Sequence, residues 1–245
     1  MTSKVKSILL FMITLFIIIS NSQEISSLVG NTDIFFKNGS REEKIIALTF
    51  DDGPHPKETH QILDVLDKYN IKGTFFVVGK HANWYSKPLI RASKEGHEIG
   101  NHTFSHPDIS NLSSDDIKRE IKECEDTLVK LTGKRPTLFR PPYGSYSEEK
   151  LGEIAKESGY KIILWTTIDA KDWKNPPPSQ ISDTIINKAK NGDIILLHDY
   201  GTENTVKALD TIIPEMIKKG YKFVTISELI EHLEKNTNNE KMQIK

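Results

Sequence analysis

Short apolar segments of strand length alternate with longer amphipathic segments along most of this 245-residue chain. Seven apolar segments stand out, at residues 45–50, 73–78, 98–100, 138–140, 161–167, 193–197 and 222–225. Such alternation is typical of a parallel sheet with helices packed outside it. About seven units favour a closed or nearly closed barrel over an open sheet. The sequence therefore predicts the α/β class, with a distorted, TIM-barrel-like (β/α) barrel of about seven parallel strands.

The amphipathic segments carry the start and stop signals of helices. Ser113 lies in a polar run that suits an N-cap, and Gly159, Gly192 and Gly220 stand where helices should end. The predicted helices span residues 59–69, 85–95, 114–132, 148–158, 178–189, 205–219 and 227–234. Together with the strands they predict one domain over residues 44–234.

The N-terminus has the pattern of an export signal. Lys4 and Lys6 give a positive start, residues 8–19 are almost entirely apolar, and small residues follow at Ser20 and Ser22. The apolar core is shorter than the ~20 residues of a spanning helix, so cleavage after Ser22 is favoured over an anchor. An uncleaved N-terminal anchor is the alternative. In either case we expect the protein to act outside the cytoplasmic membrane.

Polar stretches flank the predicted domain. Residues 23–43 are expected to link the signal segment, 1–22, to the domain, and residues 235–245 to form a disordered tail. The formal net charge of -1, without a long basic block, argues against a nucleic-acid partner. Cys124 is the one cysteine, so no internal disulfide can form, and its polar surroundings give no indication of a catalytic thiol.

Residues capable of catalysis cluster at or just after the ends of five predicted strands. They are Asp51, Asp52, His102, His106, Arg140, Asp169, Asp172, Trp173 and His198. In a parallel barrel the carboxyl ends of the strands share one face, where these side chains would converge. Asp52, His102 and His106 would form a catalytic metal site with open positions, and a metal would leave the adjacent Asp51 free to act as a base.

Each of these residues also has a simpler interpretation. The run from Asp51 to Pro54 could be a turn with a capping aspartate, and two histidines in a loop are as often solvated as ligating. Arg140 could lie on the surface, Trp173 could serve packing, and His198 could be structural. Their joint occurrence at strand ends favours an active site. The other histidines, His55, His60, His81 and His97, are not expected to be ligands.

Five short motifs in a fixed order resemble those of one family. They are Thr49-Phe50-Asp51-Asp52-Gly53-Pro54, His102-Thr103-Phe104-Ser105-His106, Arg140-Pro141-Pro142-Tyr143-Gly144, Asp169 to Trp173, and Leu196-Leu197-His198. Through them the chain resembles the polysaccharide deacetylases of carbohydrate esterase family 4, the NodB homology domain, from about residue 44 to 233. It looks most like the short, secreted or membrane-proximal members of spore-forming bacteria. The resemblance implies a distorted barrel with fewer than eight strands.

The resemblance also implies a role for each motif residue. Asp52, His102 and His106 would hold one divalent metal, with zinc expected and cobalt or another divalent ion as the alternative. Asp51 would be the general base, oriented by Arg140. The oxyanion would lie at the turn of Pro142 and Tyr143, against the backbone N–H of Tyr143. His198 would protonate the leaving nitrogen, paired with Asp169 or, as the less favoured alternative, Asp172. Leu196 and Trp173 would shape the pocket for the acetyl methyl and the sugar face.

The implied reaction is removal of acetyl groups from N-acetylated amino sugars of a cell-wall glycan. Peptidoglycan N-acetylglucosamine, peptidoglycan N-acetylmuramic acid and chitin oligomers all carry the acetamide, so the choice among them stays open. The alternatives are a catalytically inactive carbohydrate-binding barrel and a deacetylase of small amides or O-acetyl esters. An export signal favours a cell-wall polymer. We expect a monomer without a specific protein partner.

Overall fold

The computed structural model describes residues 34–166 and 168–243, and the signal segment expected at 1–22 lies outside them. The strands are β1 (Phe35–Phe36), β2 (Ile45–Asp51), β3 (Thr74–Val77), β4 (Glu98–Asn101), β5 (Leu138–Phe139), β6 (Lys161–Ile163), β7 (Ile194–His198) and β8 (Lys222–Phe223). They pair in the order β1-β6-β5-β4-β3-β2-β7, and β8 pairs with the start of β2. Every pairing between these strands is parallel.

The two edges of this sheet approach each other and close it into a barrel. Asn38, just after β1, forms an antiparallel bridge with Asp193, just before β7. The segment that follows β6 also crosses to β7: Thr166 donates its backbone N–H to Ile194, and Asp169 bridges Leu196. Because short bridges replace a continuous strand pair here, the barrel is distorted. The predicted distorted barrel of about seven parallel strands is confirmed.

Helices connect the strands and cover the outside of the barrel. They are α1 (Glu58–Lys68), α2 (Gly79–Trp84), α3 (Ser86–Lys94), α4 (Ser114–Thr132), α5 (Glu148–Ser158), α6 (Pro178–Lys188), α7 (Glu203–Lys218) and α8 (Ile226–Gln243). The Ser113 hydroxyl accepts from the N–H of Asp116 and caps α4, and Gly133 and Gly159 end α4 and α5 in the left-handed conformation. Among the described residues, no helix is long and apolar enough to cross a membrane.

Strand β2 contributes side chains both to the apolar core and to the polar end of the barrel. Ile46, Leu48 and Phe50 belong to the cluster that also contains residues of α1 and α7. Ile45 and Ala47 belong to a second cluster, which includes side chains of α8 and of strands across the barrel. Successive side chains of a strand alternate between faces, so the inward row continues with Thr49 and Asp51. The barrel interior is therefore apolar at one end and polar at the carboxyl end of the strands.

Three elements differ from the sequence-based expectations, and a fourth, the strand expected at 161–167, is shorter than expected. Phe35–Phe36 was expected in the linker but forms β1, because it pairs with Ile162 and Ile163 of β6. Residues 235–243 were expected in a disordered tail but continue α8 to Gln243. The helix Gly79–Trp84 was not predicted, since its six residues are too few to show an amphipathic period.

The strand expected at 161–167 ends at Ile163. Its termination has a local cause in the Arg140 side chain, which donates to the backbone oxygens of Ile163 and Leu164 at 3.2 and 3.1 Å. A guanidinium group thus occupies hydrogen-bond positions that a neighbouring strand would otherwise fill. The chain is then free to turn toward β7 and close the barrel.

Candidate metal centre and catalytic cleft

A cleft of about 410 Å³ opens at the carboxyl ends of the strands. Its lining consists of Asp51, Asp52, His102, His106, Tyr143, Trp165, Asp169, Trp173, Leu196 and His198. Nine of these ten residues are among those singled out from the sequence, and Trp165 is the addition. The barrel topology accounts for this convergence, because each residue other than Leu196 lies at or soon after the carboxyl end of a strand or in the segment that closes the barrel, and Leu196 lies within β7.

The chain leaves the extended conformation directly after β2. Asp52 has a φ of 75°, a left-handed conformation that breaks the alternation of the strand, so that the carboxylates of Asp51 and Asp52 both lie within 4 Å of Nε2 of His102. The following Gly53 is packed so closely that a Cβ there would lie 2.1 Å from the Asp199 carboxylate. Only glycine fits beneath this turn without displacement of Asp199. The packing explains why a glycine follows the two aspartates.

Asp52, His102 and His106 bring three potential ligand atoms together. These atoms lie within 4.8 Å of one another, and the Asp52 carboxylate lies 3.5 Å from Nε2 of His102 and 3.1 Å from Nε2 of His106. Burial raises the pKa of Asp52, but the hydrogen bonds and charges of the two histidines outweigh it and hold that pKa well below its usual range. A carboxylate facing two imidazole nitrogens is a donor set suited to a divalent ion such as zinc.

The other nitrogen of each histidine is held by the protein. Nδ1 of His102 donates to the backbone oxygen of Arg140 at 2.7 Å. Nδ1 of His106 lies 3.2 Å from the hydroxyl of Tyr143. Both contacts fix the ring orientation, the carbonyl partner of His102 also fixes its tautomer, and Nε2 of each ring is left to face the candidate metal position.

Asp51 is tied to the opposite side of the site by a buried ion pair. Nη1 of Arg140 donates to Oδ1 of Asp51 at 2.7 Å and to the hydroxyl of Thr49 at 2.8 Å. The guanidinium group is fully buried and lies over the rings of Phe76, at 4.1 Å, and Trp165, at 5.8 Å. Oδ1 is thereby engaged, while Oδ2 faces the candidate metal ligands, 3.8 Å from Nε2 of His102.

His198 pairs with Asp172, and its predicted pairing with Asp169 is wrong. Nδ1 of His198 lies 2.8 Å from the Asp172 carboxylate, which also accepts the His198 backbone N–H and the Thr205 hydroxyl. Asp172 is 1% exposed, whereas Asp169 is exposed and accepts from the backbone N–H of Lys171. Lys171 has a φ of 51°, which turns the chain so that Asp172 enters the protein. Sequence spacing alone does not reveal this turn.

The buried carboxylate determines the charge of His198. Burial alone would lower the pKa of this imidazole, but the hydrogen bond and charge of Asp172, with smaller effects of Asp51 and Asp52, raise it to about 9. The ring is therefore protonated at neutral pH. Because Nδ1 is engaged by Asp172, the proton available to the cleft is the one on Nε2.

Aromatic and aliphatic side chains form the walls of the cleft. Tyr143, with a φ of 60°, is 68% exposed, and Trp173 is 54% exposed. Leu196 contributes an apolar surface, and Trp165 packs against Gly144, where a Cβ would lie 2.6 Å from the indole ring. Pro142 is buried and begins the turn that presents Tyr143, but it is outside the cleft lining. Trp165 was overlooked because it lies in a segment interpreted as strand.

Comparison with known proteins identifies the family. A family model described as polysaccharide deacetylase matches residues 38–163, about half of the chain. The chain belongs to the polysaccharide deacetylase family. The family predicted from the five motifs is thereby confirmed, and the members of this family are metal-dependent.

Individual relatives are similar over most of the described domain. A peptidoglycan-N-acetylglucosamine deacetylase of Bacillus cereus is 45% identical over 193 residues, which are 78% of this chain and 90% of the relative. The peptidoglycan-N-acetylmuramic acid deacetylase PdaC of Bacillus subtilis is 43% identical over 77% of this chain but only 39% of the relative. The crystal structure of the Bc1960 peptidoglycan N-acetylglucosamine deacetylase superimposes with a TM-score of 0.77 at 36% identity, covering 80% of this chain and 92% of that structure.

Replacement of both candidate histidine ligands tests the metal centre. We expect the wild-type protein to bind about one divalent ion per chain, and the double variant His102→Ala/His106→Ala to bind almost none, because one carboxylate is a weak site. The measurement is the metal content of each protein after dialysis, determined by elemental analysis. His232→Ala on α8, remote from the cleft, is the matched control and should keep its metal. Full occupancy in the double variant would place the metal elsewhere.

Proposed function

We propose that this protein is a metal-dependent hydrolase that removes N-acetyl groups from amino sugars of cell-wall peptidoglycan and releases acetate. The observation that carries the proposal is the arrangement of one cleft. It holds a three-residue metal site, a carboxylate with one free oxygen and a protonated imidazole. Hydrolysis of an amide requires a base for the water and an acid for the leaving nitrogen, and the carboxylate and the imidazole of this cleft can take these two roles.

Asp51 acts on the water side of the reaction. Its Oδ1 accepts from Arg140, so Oδ2, which faces the ligand histidines, receives the proton of the attacking water. Arg140 does not move with the reaction, since Thr49 and the backbone oxygens of Ile163 and Leu164 also hold it. Asp52, His102 and His106 would hold a divalent ion, which we propose to be zinc, and this ion would supply Lewis acidity toward water and the acetamide carbonyl.

His198 acts on the sugar side. An amine anion is a very poor leaving group, so the nitrogen must be protonated as its bond to the acetyl carbon breaks. The Nε2–H of His198 is positioned for this transfer, and Asp172 stabilises the imidazolium before it gives up the proton. Leu196 and Trp173 border the space for the acetyl methyl and the sugar face, and the backbone N–H of Tyr143 is proposed to stabilise the oxyanion.

Relatives that act on two different sugars resemble this chain to a similar degree. The Bacillus cereus relative is named for N-acetylglucosamine and PdaC for N-acetylmuramic acid. The shared chemistry is the acetamide of a peptidoglycan sugar, and we propose that substrate class. Action on peptidoglycan also fits an export signal at residues 1–22 and a location outside the cytoplasmic membrane.

An inactive carbohydrate-binding barrel is a weaker interpretation. Binding a sugar requires neither the buried Asp51–Arg140 pair nor a histidine charged by Asp172. Burying such ion pairs carries a desolvation cost, which a binding surface alone gives no reason to maintain. The site retains each group that hydrolysis needs.

Acetate release tests the proposed function. The purified protein, loaded with zinc or with cobalt, is incubated with peptidoglycan fragments, chitin oligomers and an O-acetylated sugar ester. We expect release of acetate and loss of acetyl mass from peptidoglycan fragments, with Asp51→Asn as the inactive control. Activity only on the ester would favour the esterase alternative. Absence of acetate from every N-acetylated glycan with either metal would refute the proposal.

A further inference from the structure

Beside the catalytic cleft lies a closed circuit of five aromatic rings, here named the aromatic platform. Its members are His55, His81, Trp84, Tyr85 and Tyr200. His81 stacks on Tyr200 with ring centroids 4.2 Å apart and an interplanar angle of 11°, and the other neighbouring pairs are 5.1 to 6.4 Å apart. None of the five residues has a role in the proposed chemistry.

The platform adjoins the metal centre. Nδ1 of His81 lies 2.6 Å from the backbone oxygen of Asp52, so an N–H donor of the platform holds the main chain of a candidate ligand. His55 follows Asp52 in the same loop, and Tyr200 follows His198 in the loop after β7. Around the barrel mouth, the platform therefore occupies the sector of β3, β2 and β7. Tyr143 comes from the opposite sector, after β5.

The aromatic platform is not part of the folded core. Trp84, Tyr85 and Tyr200 belong to none of the hydrophobic clusters of the described residues. Trp84 is 62% exposed, and the other two tryptophan or tyrosine side chains that are mainly exposed, Tyr143 and Trp173, line the cleft. In the described part of the chain, the exposed aromatic rings are thus concentrated around one opening. Exposed apolar surface of this kind marks ligand grooves more often than chance packing.

Hydrogen bonds hold the platform loops in place. The backbone N–H of His55 donates to the Thr59 hydroxyl at 2.8 Å, which fixes the loop against α1. The N–H of Gly201, next to Tyr200, donates to the buried Glu58 carboxylate at 2.6 Å. Trp84 and His81 lie on α2, a regular element. A surface held in this way loses little conformational freedom on binding, as expected of a preorganised site.

We infer that the aromatic platform is a glycan subsite, which binds a further pyranose of the same strand whose acetamide enters the cleft. A pyranose presents a face of C–H bonds, and these carry slight positive charge that suits the negative face of an aromatic ring. A peptidoglycan or chitin-type strand crossing from Tyr143 over the metal centre would reach this sector next. The inference rests on the proposed function for the identity of the strand, and on the platform geometry for its position.

The length dependence of turnover tests the subsite. The ratio of kcat/KM for a hexasaccharide to that for a disaccharide, both N-acetylated fragments of a glycan that supports turnover, isolates contacts with remote sugars. We expect Trp84→Ala to lower this ratio about 3- to 10-fold, the effect of losing one aromatic stacking contact. Trp84→Phe should restore much of it. Ile217→Ala, an exposed apolar residue of α7 away from the cleft, should match wild type.

A binding measurement separates this inference from the proposed function. Calorimetry gives the affinity of the same hexasaccharide for Asp51→Asn protein, with and without Trp84→Ala, and requires no turnover. If Trp84→Ala weakens this binding but the wild-type, metal-loaded protein deacetylates no glycan, the subsite stands and the proposed function is overturned. An unchanged length ratio and unchanged affinity in active Trp84→Ala protein would overturn the subsite and keep the proposed function.

Discussion

Asp51→Asn should retain its metal and lose about 10²–10⁴-fold in turnover, the contribution typical of a general base. The amide of asparagine cannot accept the proton of water, although its oxygen can still accept from Nη1 of Arg140 at the position of Oδ1. Asp51 is not among the three residues whose ligand atoms converge, so the metal site keeps its donors. The measurement is turnover on an N-acetylated oligosaccharide, with metal content determined on the same sample.

The buried ion pair requires a control for folding. Asp51 and Arg140 are both buried, and loss of one charge of a buried pair can cost about 3–5 kcal/mol. A thermal unfolding curve for Asp51→Asn therefore accompanies the activity assay, performed at a temperature where the variant is folded. If folded, metal-loaded Asp51→Asn protein has wild-type turnover, Asp51 is not the general base and another group accepts the proton of water.

Helices with clear end signals were predicted with correct boundaries. Ser113 and Gly133 frame α4, and Ser147 and Gly159 frame α5, so both helices span the predicted residues. These signals are local, because a cap is made by residues within one turn of the helix end. The short strand Phe35–Phe36 has no such signal. It exists because β6 offers it a partner more than a hundred residues later, which periodicity does not reveal.

The candidate site was predicted where topology alone brings residues together. Asp52, His102 and His106 follow neighbouring parts of the sheet, β2 and β4 on either side of β3, and therefore meet at the carboxyl face. The choice between Asp169 and Asp172 required the turn at Lys171, which is a matter of backbone dihedral angles. The contacts of His55 and His81 with Tyr200 were not predicted, because they require two loops and a short helix to be placed in space.

Arg140 contacts both the end of strand β6 and the candidate catalytic residues. Its guanidinium group ends β6 by binding the oxygens of Ile163 and Leu164, and the same group orients Asp51. Its backbone oxygen accepts from His102, so one residue fixes both the proposed base and a candidate metal ligand. A site assembled on strand ends and a buried side chain is more rigid than one assembled on loops. We infer that much of the preorganisation of this cleft comes from Arg140.

Loss of the Asp172 carboxylate should move the alkaline limb of kcat/KM to lower pH. The proposed acid, His198, acts in its protonated form, so activity is present below its pKa and is lost as pH rises through about 9. In Asp172→Asn the hydrogen bond and charge that raise this pKa are removed, while burial, which lowers it, remains. The limb should then shift toward the ordinary histidine value of ~6.5. Turnover at mildly alkaline pH should fall accordingly.

The exposed neighbour Asp169 provides the matched control for this prediction. Asp169→Asn removes a carboxylate from the cleft lining without touching His198, so its alkaline limb should stay at the wild-type position. Because Asp172 also accepts from the His198 backbone and from Thr205, a melting curve must show that Asp172→Asn is folded. An NMR titration of the His198 imidazole in each variant reports its pKa directly. If that pKa falls in Asp172→Asn while the alkaline limb stays in place, a group other than His198 protonates the leaving nitrogen.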